Sequence, residues 1–504
     1  MDSALTFRES WRRSTNRARE EEAALRRLVT GHGLPPASAR NLQQVIVSGT
    51  LLYASEPTWN GSRKMERDTQ LILNRMGRAS LGVRRTTPLG IVAAESSLTP
   101  ARPLLDHAQA RFALRLMSRP RGGGGQEEIL EKRSSALTAR VRERSGLGRR
   151  ETVEVQRWDV LRAFQGKVFV ESKEEALATA MGWSDQQGTV WTDGSRMENG
   201  QVGAAAVWWE AGKWRGSGTF LGSNKEVFDA EVFAILQALR LIDSRGEFGK
   251  EYTIFSDSQA AIARAQHTDC GPAQALASAA VDLSHQISAR GCSVSLRWTP
   301  AHQGVEGNEQ ADARARRAAE RREEQADPDF LRETSLSHLT RISTEKRATQ
   351  TGQWIREHVG RRHRYCPPPG GKMRKELGKV QKERAGRFYQ LLSGHAATAP
   401  HLQRFGQAPN DRCWWCGSGE RQTRYRLFVR CRRWTPEIRR LWQSIERECG
   451  PRAPSVRFLF RDPGATAAVL DFLRDTRVGK MPGLALYGFE GRVGAGRDRV
   501  SGPE

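Results

Sequence analysis

Long apolar runs, cysteine and acidic residues are all scarce in this chain, and each shortage excludes something. No apolar stretch approaches the roughly 20 residues that a membrane-spanning helix requires. The first residues (Met1, Asp2 and Ser3, then Arg8 and Arg12) lack the hydrophobic core of a secretory signal, so the protein is expected to stay inside the cell, with no membrane partner. Seven cysteines are an odd number, too few and too clustered late in the chain for a disulfide framework, and they point to reduced thiols or a metal site. Against 57 Asp+Glu stand 81 Lys+Arg, a net charge of +24 over 504 residues. An imbalance of that size calls for a polyanionic partner, and nucleic acid is the usual one.

The charge is unevenly placed. Residues 188–320 hold 13 Lys+Arg and 16 Asp+Glu, a balance of −3, which leaves +27 for the rest of the chain. Basic flanks can grip a phosphate backbone while an acidic unit meets it at one point.

Residues 1–118 read as helical. Ser38 is placed to cap a helix carrying Leu42, Val45, Ile46 and Leu51, and a second helix carries Met65, Ile72, Met76 and Ala79 before Gly82 stops it. Thr99 before Pro100 predicts an N-cap with proline at the first helical position, followed by Leu105, Ala108, Phe112 and Leu116 on one face. Gly122, Gly123, Gly124 and Gly125 mark a flexible linker within a connection over 119–186. From 187 to 322 the pattern changes to strands at 188–193, 201–209 and 214–220, the last two joined by a turn at Glu210, Ala211, Gly212 and Lys213. A helix over 227–244, a strand over 252–257, helices over 258–266 and 272–290, a strand in which Val294, Leu296 and Trp298 alternate with Ser293, Ser295 and Arg297, and a helix over 307–322 complete the unit. The order βββαβααβα predicts an α/β fold, a mixed five-stranded sheet with helices on its faces, flanked by mainly helical basic regions. Residues 323–450 read as a basic helical region, and 451–504 as a short helix with a Gly/Arg-rich tail beyond Pro482 too poor in apolar residues to pack.

Within the strand-rich unit four carboxylates stand where they can converge. Asp193 lies in Thr192-Asp193-Gly194-Ser195 at a predicted strand end, and Asp257 in Ser256-Asp257-Ser258-Gln259 at another. Glu231 opens the intervening helix one turn before Ile235, and Asp312 sits on the last helix after a glycine-rich loop. Taken singly, an Asp or Glu at such a position is usually a cap or a solvated charge. Gathered together, oxygen-only ligands suit hard cations such as Mg²⁺ or Mn²⁺, and two such ions can activate a water and stabilise the leaving oxygen of a phosphodiester.

The Thr-Asp-Gly-Ser segment, Ala230-Glu231, the Ser-Asp-Ser-Gln segment and the run from Trp298 through His302 and Asn308 to Asp312 together resemble a type 1 ribonuclease H domain, in order and in spacing. The resemblance implies metal-dependent cleavage of the RNA strand of an RNA–DNA hybrid, with Asp193, Glu231, Asp257 and Asp312 as ligands to two Mg²⁺ or Mn²⁺ ions. It also implies that His302, in a loop, assists proton transfer or product release. Asp229 lies two residues before Glu231 and is the decoy, because the family places its ligand directly after alanine. One departure is the short segment 267–273, where some stand-alone members insert a basic helix and loop; the grip on the hybrid must then come from the basic flanks.

Residues 40–118, with Leu51-Leu52-Tyr53, Leu73-Asn74-Arg75 and Thr86-Thr87-Pro88-Leu89-Gly90, are similar to the region after the polymerase palm in fungal non-LTR (LINE-type) retrotransposon proteins. The chain contains no Asp-Asp dipeptide, the usual centre of a reverse transcriptase's metal site, so no polymerisation is expected of it. It resembles the carboxyl-terminal portion of such a protein, which implies nuclear residence. Cys413, Cys416 and Cys431 resemble the zinc knuckle that ends these proteins, but Arg426 stands where the family pattern wants histidine, and a guanidinium cannot coordinate zinc. Either the Zn²⁺ site has decayed, or His395, His401 or Cys449 supplies the fourth ligand. Trp414 and Trp415, among Arg412, Arg421, Arg424 and Arg430, are placed either to stack on bases or to pack a small helical core. The leading expectation is a hybrid-cleaving enzyme. The alternatives are a non-catalytic nucleic-acid-binding remnant and a reverse transcriptase subunit whose palm comes from a partner polymerase chain.

Overall fold

Helical spacing dominates both ends of the chain, and the strands lie between them. The computed structural model describes residues 8–53, 55–117, 151, 153, 161–245, 249–321, 324–360, 365, 367 and 373–481; the Gly122 to Gly125 linker and the tail beyond Pro482 fall outside these. One compact unit joins Met1–Leu105 with Ala348–Glu504, and the other is Asp106–Arg347.

In the first unit, helices α1 (Arg8–Gly31), α2 (Pro36–Gln43), α3 (Gly49–Tyr53), α4 (Arg63–Leu81) and α5 (Leu89–Ser96) precede α6 (Ala101–Met117), which begins in this unit. Helix α4 follows the expected spacing: Met65, Ile72, Met76 and Ala79 are buried, and Gly82 ends the helix at φ 67°, where glycine avoids the clash a side chain would meet. The stretch after Ser38 departs from expectation. Ser38 lies inside α2 rather than capping it, and a π-helical turn at Gln44–Ser48 separates α2 from α3. The wider turn shifts the buried face: Val47 and Leu51 enter the core with Ile72, Leu73 and Met76, whereas Leu42, Val45 and Ile46 are exposed. The Pro100 carbonyl accepts from the Leu104 N–H, so Pro100, not Thr99, is the residue immediately before α6. Leu105 and Ala108 are buried as expected, and the side chain of Leu116 lies outside the described set.

The second unit contains β1 (Lys167–Phe169), α7 (Lys173–Gly182), β2 (Thr189–Arg196), β3 (Val202–Glu210), β4 (Lys213–Gly222), α8 (Val227–Arg245), β5 (Glu251–Ser256), α9 (Gln259–Ala265), α10 (Gln274–Ala289), β6 (Ser293–Trp298) and α11 (Glu306–Arg321); α12 (Leu336–His358) begins in it. The six strands order as β1-β6-β5-β2-β3-β4, with β2–β3 and β3–β4 antiparallel and the other pairs parallel. The predicted mixed sheet is present with one strand more: β1 adds to the edge of β6, and Ser172 caps α7 through a reciprocal capping box with Glu175, in a stretch read from sequence only as a connection. Three residues are too short a strand for periodicity to reveal. The β3–β4 turn is a two-residue connection with Ala211 and Gly212 both at positive φ, the geometry whose twist matches that of the flanking strands.

Alternation along the central strands assigns the two faces. Val190 and Ile254 pack with Ile235, Leu239, Val281 and Leu296 on one side, and their neighbours Trp191 and Phe255 stack at 4.1 Å and pack with Val207, Val305 and Ala311 on the other. Helix α11 comes very close to β3. A Cβ on Gly203 would stand 2.5 Å from the Ala315 carbonyl oxygen and the Ala319 nitrogen, which is why that helix presents alanines at four-residue intervals.

After α12, the chain returns to the first unit with α13 (Lys382–Ser393), α14 (Thr435–Cys449) and α15 (Thr466–Asp475). Phe388, Phe428, Leu441 and Phe472 from this part share one core with Leu81 and Val92 from the N-terminal part. Among the described residues no helix is long and apolar enough to cross a membrane.

Candidate active site

Strand register brings the first two carboxylates together. Thr192 of β2 pairs with Ser256 of β5 in parallel, so the next residues, Asp193 and Asp257, leave the pairing side by side. Asp257 follows the last residue of β5 as expected, but Asp193 is not at a strand end: β2 runs on to Arg196, held only by β3. The position is fixed from below, where the Thr192 hydroxyl donates to the Phe255 carbonyl at 2.9 Å and the Trp298 indole N–H donates to the Asp257 carbonyl at 3.0 Å.

Glu231 enters from α8, and glycine permits it. A Cβ at Gly194 would stand 2.6 Å from the Glu231 nitrogen and 2.8 Å from the Ala230 Cβ, so any side chain there would lift the helix off the strand. As a result, carboxylate oxygens of Asp193, Glu231 and Asp257 all lie within 4.8 Å of one another. Asp193 and Glu231 are buried and Asp257 is partly buried.

Burial and mutual repulsion both act against ionisation. Desolvation and then the Asp257 charge push Asp193 up to about 8, and desolvation and Asp193 push Glu231 well above the usual carboxylate range. Asp257 is raised mainly by burial, against hydrogen bonding from Asn308 and the charge of His302. One Glu231 oxygen is out of water with no hydrogen-bond partner. Three clustered acids, two of them buried, with oxygen donors only and an unsatisfied acceptor, fit a hard divalent ion.

The other two expected residues stand around this group. Asp312 is not among the three within 4.8 Å; its carboxylate pairs with Arg316 at 2.9 Å one turn along α11, although its charge still raises Asp193, Glu231 and Asp257. His302 is exposed in the loop before α11 at φ 52°, a strained conformation for a residue with a side chain, and its charge reaches Asp257. Asp229 has an entirely different setting: its carboxylate accepts from the Glu226 N–H at 2.8 Å and the Ser335 hydroxyl at 2.6 Å. Asn308 lies within the run matched from sequence but was given no role there. It is buried and hydrogen-bonds Asp257, and its spacing of four residues from Asp312 places both on one face of α11, a signal that was readable.

The late cysteines form a second cluster. The sulfurs of Cys413, Cys416 and Cys431 lie within 4.8 Å of one another. A hydrogen bond from Cys431 holds the Cys413 thiol down at about 4, and the same bond pushes Cys431 up. Arg426 is buried against this group, donating to Cys416 Sγ at 3.5 Å and to Ser418 Oγ at 2.5 Å and pairing with Glu420. His395, His401 and Cys449 do not join the cluster among the described residues, so the donor set is three thiols and an arginine cation. That set does not complete a tetrahedral zinc site. Trp415 packs edge-on against Trp434 at 5.7 Å, Arg421 pairs with Asp411 at 2.8 Å, and Arg424 donates to the Leu391 carbonyl at 2.7 Å, so much of this segment serves packing.

No curated protein matches the chain. Among solved structures it is similar to RNase H1 from the halophilic archaeon Halobacterium salinarum NRC-1, at 20% identity over 26% of this chain and 97% of that one, with a TM-score of 0.21. The family model described as RNase H matches residues 185–320, the stretch that carries Asp193, Glu231, Asp257, His302 and Asp312.

Proposed function

We propose that residues 185–320 hydrolyse the RNA strand of RNA–DNA hybrids endonucleolytically, using two divalent cations, Mg²⁺ or Mn²⁺. The observation that carries this reading is the convergence of Asp193, Glu231 and Asp257 oxygens within 4.8 Å in a stretch matched by the RNase H family. Asp193, Glu231 and Asp257 would hold the ions, with Asp312 completing the set once its carboxylate leaves Arg316. When bound, such a pair of cations activates a water and stabilises the leaving 3′ oxygen of the cleaved linkage. Asn308 orients the Asp257 carboxylate by hydrogen bonding, and the Trp298 indole anchors the Asp257 backbone carbonyl. His302, on an exposed loop, would assist proton transfer or product release. Retrotransposon descent rests on the similarity of residues 40–118 to the region after a polymerase palm and on the late cysteine segment. The test is cleavage of an end-labelled RNA–DNA hybrid with Mg²⁺ by the wild type and by Asp193→Asn. A loss of about 10³-fold or more in the variant is expected; equal cleavage by both sinks the assignment, and hybrid binding without cleavage by the wild type favours a non-catalytic remnant.

A further inference from the structure

The first compact unit contains a cleft of about 1190 Å³, lined from α1, α4, the segment after α4, α13 and the segment after α15. Seven cationic side chains line it against one carboxylate, that of Glu383. Several of the cations already have structural roles. Lys480 pairs with Glu383 at 2.5 Å, Lys382 donates to the Val29 carbonyl, Arg387 to the carbonyls of Thr476 and Val478, and Arg26 faces Glu22 at 3.6 Å. Arg75, Arg78 and Arg85 remain: among the described residues no carboxylate lies within ion-pair distance of any of the three. Glu22 is the acid whose charge interacts with Arg75, and it is shared with Arg26.

This arrangement is unfavourable without an anion. Arg75 and Arg78 sit three residues apart on one face of α4, and Arg85 follows the turn at Gly82. Arg78 has its Nε withdrawn from water with no acceptor, and both burial and Arg85 act against its positive charge. Leu71, one turn before Arg75, remains 49% exposed at the same lip. Cations from several chain segments lie along a cleft far larger than one phosphate needs, which matches a run of phosphates better than a single small anion.

We infer that this cleft binds the phosphodiester backbone of a nucleic acid, with Arg75, Arg78 and Arg85 as the cations that meet its phosphates, as a site separate from the carboxylate cluster. It gives the chain a grip on nucleic acid independent of whether residues 185–320 cleave. The full chain is titrated into a fluorescein-labelled DNA duplex of about 20 base pairs in EDTA, reading anisotropy over a series of salt concentrations, so that neither metal nor cleavage enters. For Arg75→Gln/Arg78→Gln/Arg85→Gln the affinity should fall roughly tenfold or more, and the slope of log K against log salt should become shallower by about 2 to 3, near 0.9 for each phosphate no longer neutralised. Arg75→Lys/Arg78→Lys/Arg85→Lys should keep most of that slope, which separates lost charge from lost folding. A control triple of exposed arginines on and beside α14, Arg432→Gln/Arg439→Gln/Arg447→Gln, should leave the slope nearly unchanged. An unchanged slope in the first triple, an equal loss in the control, or displacement of the duplex by polyglutamate at matched charge would each overturn the inference. Hybrid cleavage at saturating substrate, measured in parallel, reports the other reading separately.

Discussion

Asp193 carries opposing demands that can be read from titration. Its carboxyl is held up to about 8 in the folded chain against an ordinary value of 3.8, so between those values the folded state binds more protons than the unfolded one. Its contribution to stability without metal therefore falls as pH rises from about 4 to 8 and is greatest at the acid end of that window. Asp193→Asn keeps the shape and removes the charge. In EDTA the variant should melt a few degrees above the wild type at pH 8, and the two should converge near pH 4, as followed by circular dichroism. Adding Mg²⁺ at pH 8 should reverse the order, because only the wild type keeps its full ligand set. Arg426 presents the converse case, a fixed cation beside three thiols. Arg426→His replaces that cation with a ligand. Bound zinc after dialysis, measured by a colorimetric chelator, should rise towards one per chain in the variant and stay well below that in the wild type. Asp229 shows why a residue type alone is ambiguous: the same carboxylate two positions from Glu231 anchors Ser335 instead.

At the level of elements, glycines and alanines decide how closely the helices can lie on the sheet. Gly194 admits Glu231, Gly307 sits so near Trp191 that a Cβ would stand 2.4 Å from its ring, and Gly203 faces the α11 backbone. Gly203→Ala should destabilise the unit by about 1–3 kcal/mol through overpacking. That loss would show as a lower urea midpoint with an unchanged m value. The three-stranded meander, the helix holding Glu231 and the later strands were legible because their apolar residues repeat with periods of two or near 3.6. Strand β1 was not legible, since three residues carry no period and their partner β6 lies far along the chain. Neither was the π-helical turn at Gln44–Ser48, within which Val45 and Ile46 are exposed and Val47 is turned inward.

For the whole molecule the main surprise is that the two ends of the chain build one unit. Leu81 and Val92 are 1% and 2% exposed beneath residues more than 280 positions later. Burial of such side chains stabilises by roughly 1.5–3 kcal/mol each. Deleting residues 373–481 should therefore leave the N-terminal helices open to limited proteolysis, while a fragment spanning 161–347 resists; equal resistance of both parts would contradict the shared core. The residues themselves determined the order of strands and helices from β2 to α11, the identity of the three converging carboxylates and the basic balance of the flanks, since these depend on local spacing and on composition. Only the tertiary structure decided that Asn308 reaches Asp257, that Arg426 stands against the thiols, and that cations from distant segments line one cleft. Those outcomes depend on distances between residues far apart in the chain, and a linear pattern carries no such distances.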